Sequence, residues 1–223
     1  MSGLVGLVPA RGGSKGIPGK NLSEIAGKPL LVWTIEAALS SQTLDQIVVS
    51  TDCAKIAAVA RGAGADVLDR PSALAADDTP MIDVVRHAVT ALRPSVVVLL
   101  QPTSPLRRPE DIDAAVETLL ASDADAVVSV VPVPHRYMPD SLMELDGGRI
   151  APVDPGSPTS RQAKGQLYAR NGPAVLALRT ERIGDSLYGG DVLAYAMDAR
   201  DSLDVDTPFE LELADLLMRA RLS

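Results

Sequence analysis

The sequence is poor in aromatic residues and cysteine, and each shortage limits the kinds of core, cross-link or metal site that the chain can form. Aromatics make up 3 % of the 223 residues, so alanine, valine and leucine must fill the core, and the hydrophobic fraction of 46 % allows this. No stretch of about 18 apolar residues occurs, so we expect no membrane span. The only cysteine, Cys53, excludes an internal disulfide, argues against a cysteine-built metal site and fits a reducing, cytoplasmic location.

Positive charge is also scarce, and the formal net charge is −8. Surfaces that bind nucleic acid are usually basic, so we expect no nucleic-acid partner. Basic residues are nevertheless concentrated near the N-terminus, at Arg11, Lys15, Lys20 and Lys28. A cationic patch on an acidic protein indicates a small anionic ligand, and a solvated loop is the equal alternative.

Apolar runs alternate with amphipathic segments along most of the chain. Leu4–Pro9 has no basic segment before it, so we expect a first buried strand and not a signal peptide. Further strands are predicted at 46–50, 65–68, 95–100, 126–131, 174–178, 193–197 and 202–205, with helices at 29–40, 54–61, 81–92, 109–121 and 208–221. The strand at 95–100 is the most apolar and is expected to be central. This alternation predicts a single α/β domain with a mostly parallel, doubly wound sheet.

Residues 132–160 interrupt the alternation. They hold six prolines, and Gly147-Gly148 separates two short strand-like pieces. A pair of glycines between two such pieces is typical of a hairpin. We therefore expect a small hairpin-like excursion at about residues 132–160.

The loop Pro9–Asn21, P-A-R-G-G-S-K-G-I-P-G-K-N, carries the strongest signal. Its glycines let backbone N–H groups approach a ligand, and Arg11, Lys15 and Lys20 supply cations suited to phosphate oxygens. It is not a P-loop, because Ser14 stands where that motif has its first glycine, and it contains no G-x-G-x-x-G. The loop predicts a phosphate or nucleotide site, with a plain surface turn as the alternative.

This loop resembles the nucleotide-binding signature of the CMP-N-acylneuraminate synthetases, the acylneuraminate cytidylyltransferases, roughly P-A-R-x-G-S-K-G-I-P-x-K-N. Related enzymes for 3-deoxy-manno-octulosonate have S-T-R-L-P-G-K in place of S-K-G-I-P-G-K, and this sequence has the acylneuraminate form. The resemblance implies a set of nucleotide-binding residues: Ala10 (through its backbone), Arg11, Ser14, Lys15, Lys20, Asn21 and Arg70. Lys20 is expected at the β- and γ-phosphates of CTP.

A second matching segment, R-P-x-x-L-A-x-D, runs from Arg70 to Asp77 and implies that Arg70 lies near the cytosine. One residue nearby departs from the family. Met81 stands where relatives usually carry a hydroxyl residue that helps to bind the base. Methionine cannot supply that hydrogen bond, so base recognition is expected to differ in detail.

Three further positions concern the sugar. Gln101 begins the motif Q-P-T-S-P-L-R directly after the most apolar strand, where ligand contacts gather, although a proline-stiffened strand exit would look the same. The resemblance implies that Gln101 orients the sugar acceptor. Arg161-Gln162 resembles the family's R-Q pair, and a guanidinium such as that of Arg161 suits a carboxylate. Tyr188, in Leu187-Tyr188, replaces part of a Phe-Phe pair that surrounds the N-acyl group in sialic-acid enzymes, which leaves the exact sugar open.

Asp204-Val205-Asp206 is the candidate metal site. Residues i and i+2 of an extended segment point the same way, and two adjacent carboxylates favour a cation such as Mg²⁺. A solvated Asp-x-Asp is the alternative. The segment matches the family's D-x-D-T, which implies that Asp204 and Asp206 bind Mg²⁺ and, with Lys20, carry catalysis. One of the two aspartates, or a hydroxide held by the metal, would accept the proton of the attacking hydroxyl.

The resemblance thus implies a cytoplasmic homodimer, with the excursion as its interface. Its reaction would transfer CMP from CTP to the anomeric hydroxyl of a sialic-acid-like, nine-carbon sugar acid and release pyrophosphate. Two alternatives stay open. The acceptor could be another acidic sugar, such as legionaminate, pseudaminate or 3-deoxy-manno-octulosonate, or the chain could be a non-catalytic nucleotide-binding relative.

Overall fold

The computed structural model describes residues 3–14, 16–153 and 165–223. Within these ranges the strands are β1 (Leu4–Pro9), β2 (Glu24–Ile25), β3 (Lys28–Pro29), β4 (Gln46–Thr51), β5 (Asp66–Asp69), β6 (Val96–Leu99), β7 (Ala126–Pro132), β8 (Met143–Asp146), β9 (Arg149–Pro152), β10 (Tyr168–Arg170), β11 (Leu176–Arg179) and β12 (Val192–Ala196). The helices are α1 (Leu30–Leu39), α2 (Ala54–Gly62), α3 (Met81–Leu92), α4 (Pro109–Leu120) and α5 (Pro208–Leu222). None of these helices combines the length and apolarity that crossing a bilayer requires.

The main sheet has the order β10-β7-β11-β6-β1-β4-β5, and β12 also pairs with β7. The pairs β6–β1, β1–β4, β4–β5 and β7–β12 are parallel, whereas β10 and β11 run antiparallel to their neighbours. Strand β6 is buried along its whole length, as a continuous apolar run in a central strand requires. The predicted mostly parallel sheet and the central position of β6 are confirmed.

Helices cover both faces of the sheet. Along β6, Val98 belongs to the core cluster that includes residues of α1, α2 and α4, while Leu99 belongs to the cluster on the side of α3. Helix α5 contributes Met218 to a third cluster, shared with Leu30 of α1. The doubly wound arrangement expected from the sequence is therefore confirmed. The boundary of a single domain stays a prediction.

Two predictions for the second half of the chain had different outcomes. The hairpin is present as β8–β9, and Gly147 and Gly148 form its turn with φ angles of 52° and 83°. The strand predicted at 202–205 is wrong. Residues 202–206 have no regular secondary structure and join no strand. The Val205 N–H instead donates to the carbonyl of Thr103, outside the sheet, at 2.8 Å.

Candidate active site

A cleft of about 430 Å³ lies at the carboxyl ends of β1 and β6, the edge where a parallel sheet places its ligands. It brings together seven of the residues that the sequence predicts for the site: Arg11, Ser14, Lys20, Asn21, Arg70, Gln101 and Asp206. Met81 lines it as well, at the start of α3. Segments separated by most of the chain therefore meet around one cavity.

The N-terminal loop is fixed to the sheet by its backbone. Ala10 is fully buried, and its N–H donates to a β4 carbonyl, so any base contact by Ala10 has to use its carbonyl oxygen. The N–H of Gly12 donates to Asp52 Oδ1 at 2.8 Å. Asn21 Nδ2 donates to the carbonyl of Arg11 at 3.1 Å and ties the two ends of the loop together. These bonds preorganise the loop for a ligand.

Two arginines of the cleft are held differently. Arg70 is buried and donates from Nε to Ser50 Oγ at 3.1 Å and from Nη2 to the Ser50 carbonyl at 2.8 Å. Burial lowers the pKa of Arg70, an effect that the nearby Asp52 opposes. Arg11 Nη1 instead forms an ion pair with Asp77 Oδ1 at 2.6 Å. Arg70 is therefore fixed in the wall of the cleft, and Arg11 links the loop to the segment that follows β5.

Lys20 joins the nucleotide loop to the segment before α5. Its Nζ donates to the carbonyl of Val205 and to Asp206 Oδ1, both at 2.8 Å. The Val205 N–H is bonded to the Thr103 carbonyl, so the Val205 peptide is held on both sides. The Lys20 side chain is 14 % exposed, whereas that of Asp206 is 70 % exposed. A cation and an accessible carboxylate thus stand together in the cleft.

Asp204 lies in a different environment from Asp206. Its Oδ1 is shielded from solvent and has no hydrogen-bond partner among the described residues, although the Thr103 side chain bonds to the same carboxylate. Burial raises the pKa of Asp204, and the charge of Asp206 raises it further. A buried carboxylate oxygen without a partner, beside a second carboxylate, is a donor set that suits Mg²⁺.

The metal site is sparse in protein ligands. The described ranges hold no group of three or more His, Cys, Asp or Glu side chains arranged to bind a metal ion. Asp204 and Asp206 alone fit an ion that keeps several waters and binds substrate phosphates, as Mg²⁺ does. The residues present therefore fit Mg²⁺, and the assignment stays a prediction.

Gln101 is held by groups on the far side of the cleft. Its Nε2 donates to the carbonyl of Gly172 at 3.0 Å. Arg107 Nη1 donates to the carbonyls of Gln101 and Ala174, at 3.3 Å and 2.5 Å. Burial lowers the pKa of Arg107 to about 9. Arg107 thus cross-links the strand exit that carries Gln101 to the loop at residues 172–174.

A buried polar network holds the residue before Gly172. Asn171 Oδ1 accepts from Ser129 Oγ at 2.6 Å, and Asn171 Nδ2 donates to Ser202 Oγ at 3.0 Å. Ser129 Oγ also accepts from the Val175 N–H at 2.9 Å. Because Ser202 is two residues before Asp204, this network connects the Gln101 side of the cleft to the carboxylates.

Four predicted residues remain. Lys15, Arg161 and Gln162 lie outside the described residues. Tyr188 is absent from the cleft lining as the structure describes it, and its ring instead stacks on the Arg170 guanidinium at 4.0 Å. Thr103, which sequence reasoning missed, lines the cleft and contacts Asp204. Its place in Q-P-T-S-P-L-R was the signal that could have found it.

We expect Gly16→Ala to lower turnover on the order of 100-fold, the effect of small misplacements at reacting centres. A Cβ at Gly16 would stand 2.6 Å from the backbone oxygen of Asp206, so the Asp206 segment must move. Gly62→Ala, at the end of α2 and outside the cleft lining as described, is the matched control, because a Cβ there meets nothing within 4 Å. Steady-state rates of both variants check this, and equal rates for the two would contradict it.

We expect Asp204→Asn to stabilise the metal-free protein while removing activity. The pKa of Asp204 is raised in the folded state, so ionisation of this carboxyl group opposes folding. The resulting loss of stability is absent below the pKa of the unfolded state and is complete above the pKa of the folded state. The stability advantage of the variant should therefore grow as the pH rises above about 4, the usual pKa of an unfolded aspartate. Denaturant unfolding in EDTA measures it, and an advantage that shrinks as pH rises would contradict the account.

Comparison with known proteins identifies the family. The sequence model described as cytidylyltransferase matches residues 5–197. The N-acylneuraminate cytidylyltransferase of Escherichia coli O18:K1:H7 is 33 % identical over 222 residues, which cover 95 % of this chain and 51 % of that relative. The CMP-N,N'-diacetyllegionaminic acid synthase of Legionella pneumophila is 34 % identical over 223 residues, 96 % of each chain. The chain thus spans about half the length of the first relative and nearly all of the second.

A solved structure agrees with the fold. A CMP:2-keto-3-deoxy-manno-octonic acid synthetase complexed with CTP matches with a TM-score of 0.76, over 99 % of this chain and 100 % of that one, at 19 % identity. At this identity the likeness concerns the fold alone. The family assignment comes from the sequence, and it confirms the resemblance seen in the motifs: the chain belongs to the cytidylyltransferase family.

Proposed function

We propose that this protein transfers CMP from CTP to the anomeric hydroxyl of a sialic-acid-like nonulosonate and releases pyrophosphate. The observation that carries the proposal is the ion pair between Lys20 and Asp206 in one cleft. Beside it lies a buried carboxylate oxygen of Asp204 that has no hydrogen-bond partner among the described residues. The names of the two relatives, one for N-acylneuraminate and one for a legionaminic acid, support a nonulosonate as the acceptor.

In this mechanism Lys20 exchanges its bond to Asp206 for the β- and γ-phosphates of CTP, while Asp204 and Asp206 hold Mg²⁺. The ion, when bound, neutralises phosphate charge. The anomeric hydroxyl gives its proton to one of the two aspartate carboxylates, and its oxygen forms a bond to the α-phosphorus. The bond from that phosphorus to the oxygen between the α- and β-phosphates breaks, and this oxygen leaves with pyrophosphate. Such transfers depend on positioning and on charge stabilisation more than on covalent chemistry. The preorganised loop and the fixed Val205 peptide supply the positioning.

The acceptor lies on the Gln101 side of the cleft in this proposal. Gln101 is already oriented by the carbonyl of Gly172 and can bind a sugar hydroxyl with its remaining amide groups. Arg161 binds the sugar carboxylate through two parallel N–H···O bonds, and Gln162 and Tyr188 complete the sugar site. Arg70 and the carbonyl of Ala10 face the nucleotide.

We also propose a homodimer in the cytoplasm. The β8–β9 hairpin exposes apolar side chains, with Leu145 at 75 % and Ile150 at 69 %. Exposed apolar side chains concentrated on one projecting element are typical of an interface. The single cysteine suits a reducing compartment. Sedimentation of the protein with and without charged substitutions at these two positions tests the interface, and an unchanged monomer in both cases would contradict it.

The proposed function is tested by measuring pyrophosphate release with CTP, Mg²⁺ and a panel of 2-keto-3-deoxy sugar acids. We expect release with N-acetylneuraminate or legionaminate to exceed that with 3-deoxy-manno-octulosonate. If the eight-carbon acid, 3-deoxy-manno-octulosonate, gave the highest rate, the acceptor would be a different acidic sugar and not a nonulosonate. Binding of CTP without release, for every acceptor, would favour a non-catalytic relative.

A further inference from the structure

Arg170 lies next to the groups that orient Gln101. It ends β10 opposite Val130, near the carboxyl end of β7, at the same edge of the sheet as the cleft. The next residue, Asn171, is fixed by the buried network, and the carbonyl of Gly172 accepts the Gln101 amide at 3.0 Å. Arg170 therefore lies on a rigid segment, two residues before Gly172, whose carbonyl binds the cleft-lining Gln101.

The Arg170 side chain is ordered by an aromatic ring. Its guanidinium carbon is 4.0 Å from the centroid of the Tyr188 ring. The preceding residue, Leu187, is buried in the same core cluster as Val130, so the loop that carries the ring is anchored to the sheet. A stacked guanidinium keeps its in-plane N–H groups directed outward, ready for a planar or bidentate oxygen acceptor.

These N–H donors have no acceptor within the part of the chain that the structure describes. The Arg170 side chain makes no hydrogen bond and no ion pair with any residue that the structure describes, and Arg170 is exposed. Arginines elsewhere in this acidic chain do have carboxylate partners, such as Arg11 with Asp77. An exposed guanidinium that is ordered by a ring, and that has no carboxylate partner in the described ranges, is suited to binding an oxygen of a ligand.

We propose that Arg170, held on Tyr188, is a specificity-determining residue that donates hydrogen bonds to a carbonyl oxygen on the acceptor, as in an N-acyl substituent. This inference rests on the proposed function and names the acceptor class: sugar acids that carry an acylamino group are preferred over those with a hydroxyl at the same carbon. The proposed partner of the sugar carboxylate stays Arg161, and Arg170 is not among the residues proposed to bind the nucleotide.

The test compares N-acetylneuraminate with the analogue that has a hydroxyl in place of its acetamido group. Arg170→Gln should lower the ratio of the two kcat/KM values about 10- to 100-fold, the effect of losing a charged hydrogen bond, and leave the KM for CTP unchanged. Tyr188→Leu, which removes the ring but keeps the arginine, should lower the ratio by less. Arg136→Gln is the matched control, because it removes another arginine stacked on a tyrosine, Tyr137, at 4.9 Å, and should leave the ratio unchanged.

An unchanged ratio in Arg170→Gln, or an equal loss for both acceptors, overturns the proposal. Calorimetry of each sugar acid, with CMP present, measures the same selectivity without turnover. If the wild type binds N-acetylneuraminate in preference to the analogue but forms no pyrophosphate, the proposed function fails, and the role of Arg170 is judged by the binding ratio alone. If the wild type binds neither acid, both proposals are overturned.

Discussion

Asp206→Asn should lose about 100- to 1,000-fold in turnover at saturating substrates, the range found when one preorganised electrostatic group is removed from an active site. Asp206 is the exposed carboxylate of the pair and is already bonded to Lys20 at 2.8 Å. Removing its charge takes away half of the protein's contribution to the proposed Mg²⁺ site. It also removes the carboxylate that pairs with Lys20, which keeps its bond to the Val205 carbonyl. Both effects therefore act on the residues proposed to bind the phosphates.

Pyrophosphate release measured over a range of Mg²⁺ concentrations checks this expectation. The fold should survive, because Asp206 is 70 % exposed, and circular dichroism verifies it. Glu212→Gln on α5 is the matched control, since it removes an exposed carboxylate from the neighbouring helix. Near wild-type release by Asp206→Asn at limiting Mg²⁺ would remove Asp206 from the metal site.

Lys20→Ala should weaken CTP binding on the order of 100-fold while changing CMP binding little. A lysine that contacts the β- and γ-phosphates matters only for a nucleotide that carries them, and losing a charged contact of this kind costs roughly 1.5–3 kcal/mol. Calorimetry with CTP and with CMP measures the difference. Equal losses for the two nucleotides would place Lys20 away from the departing pyrophosphate.

Lys20 also has a structural contact, and the experiment must distinguish loss of this contact from loss of the phosphate contact. Its Nζ also bonds to the carbonyl of Val205 at 2.8 Å, so Lys20→Ala loosens the segment between the two aspartates. Lys28→Ala is the control for lost charge, because Lys28 pairs with Glu36 at 2.7 Å and does not line the cleft as described. Loosening alone would weaken both nucleotides equally, whereas lost phosphate contact weakens CTP selectively.

The position of the site could be predicted because it follows from the ends of strands. The loop after Leu4–Pro9 and the motif that begins at Gln101 both follow parallel strands, so their side chains had to meet at one edge of the sheet. Apolar periodicity likewise predicted α3 at Met81–Leu92, with the bounds found in the structure. Elements that depend on a local sequence pattern could therefore be predicted.

Contacts between segments that are distant in the sequence could not be predicted. The stretch around Val205 has the composition of a strand, but its N–H bonds to Thr103, and nothing in its own residues indicates that partner. The bond between Lys20 and Asp206 spans nearly the whole chain and depends on the packing of α5. Tyr188 was expected beside the sugar because of its place in a family pattern. Its observed partner is Arg170, which no motif singled out.

Phosphorus NMR of a single reaction mixture shows whether the protein joins CMP to the sugar acid. Purified protein, Mg²⁺ and N-acetylneuraminate are incubated with CTP, and in a parallel sample with ATP. We expect CTP to give one new phosphodiester signal and one equivalent of pyrophosphate. Both signals should be absent without the sugar acid, and ATP should give neither. Pyrophosphate without the phosphodiester, or the same products from ATP, would contradict transfer of CMP to the sugar.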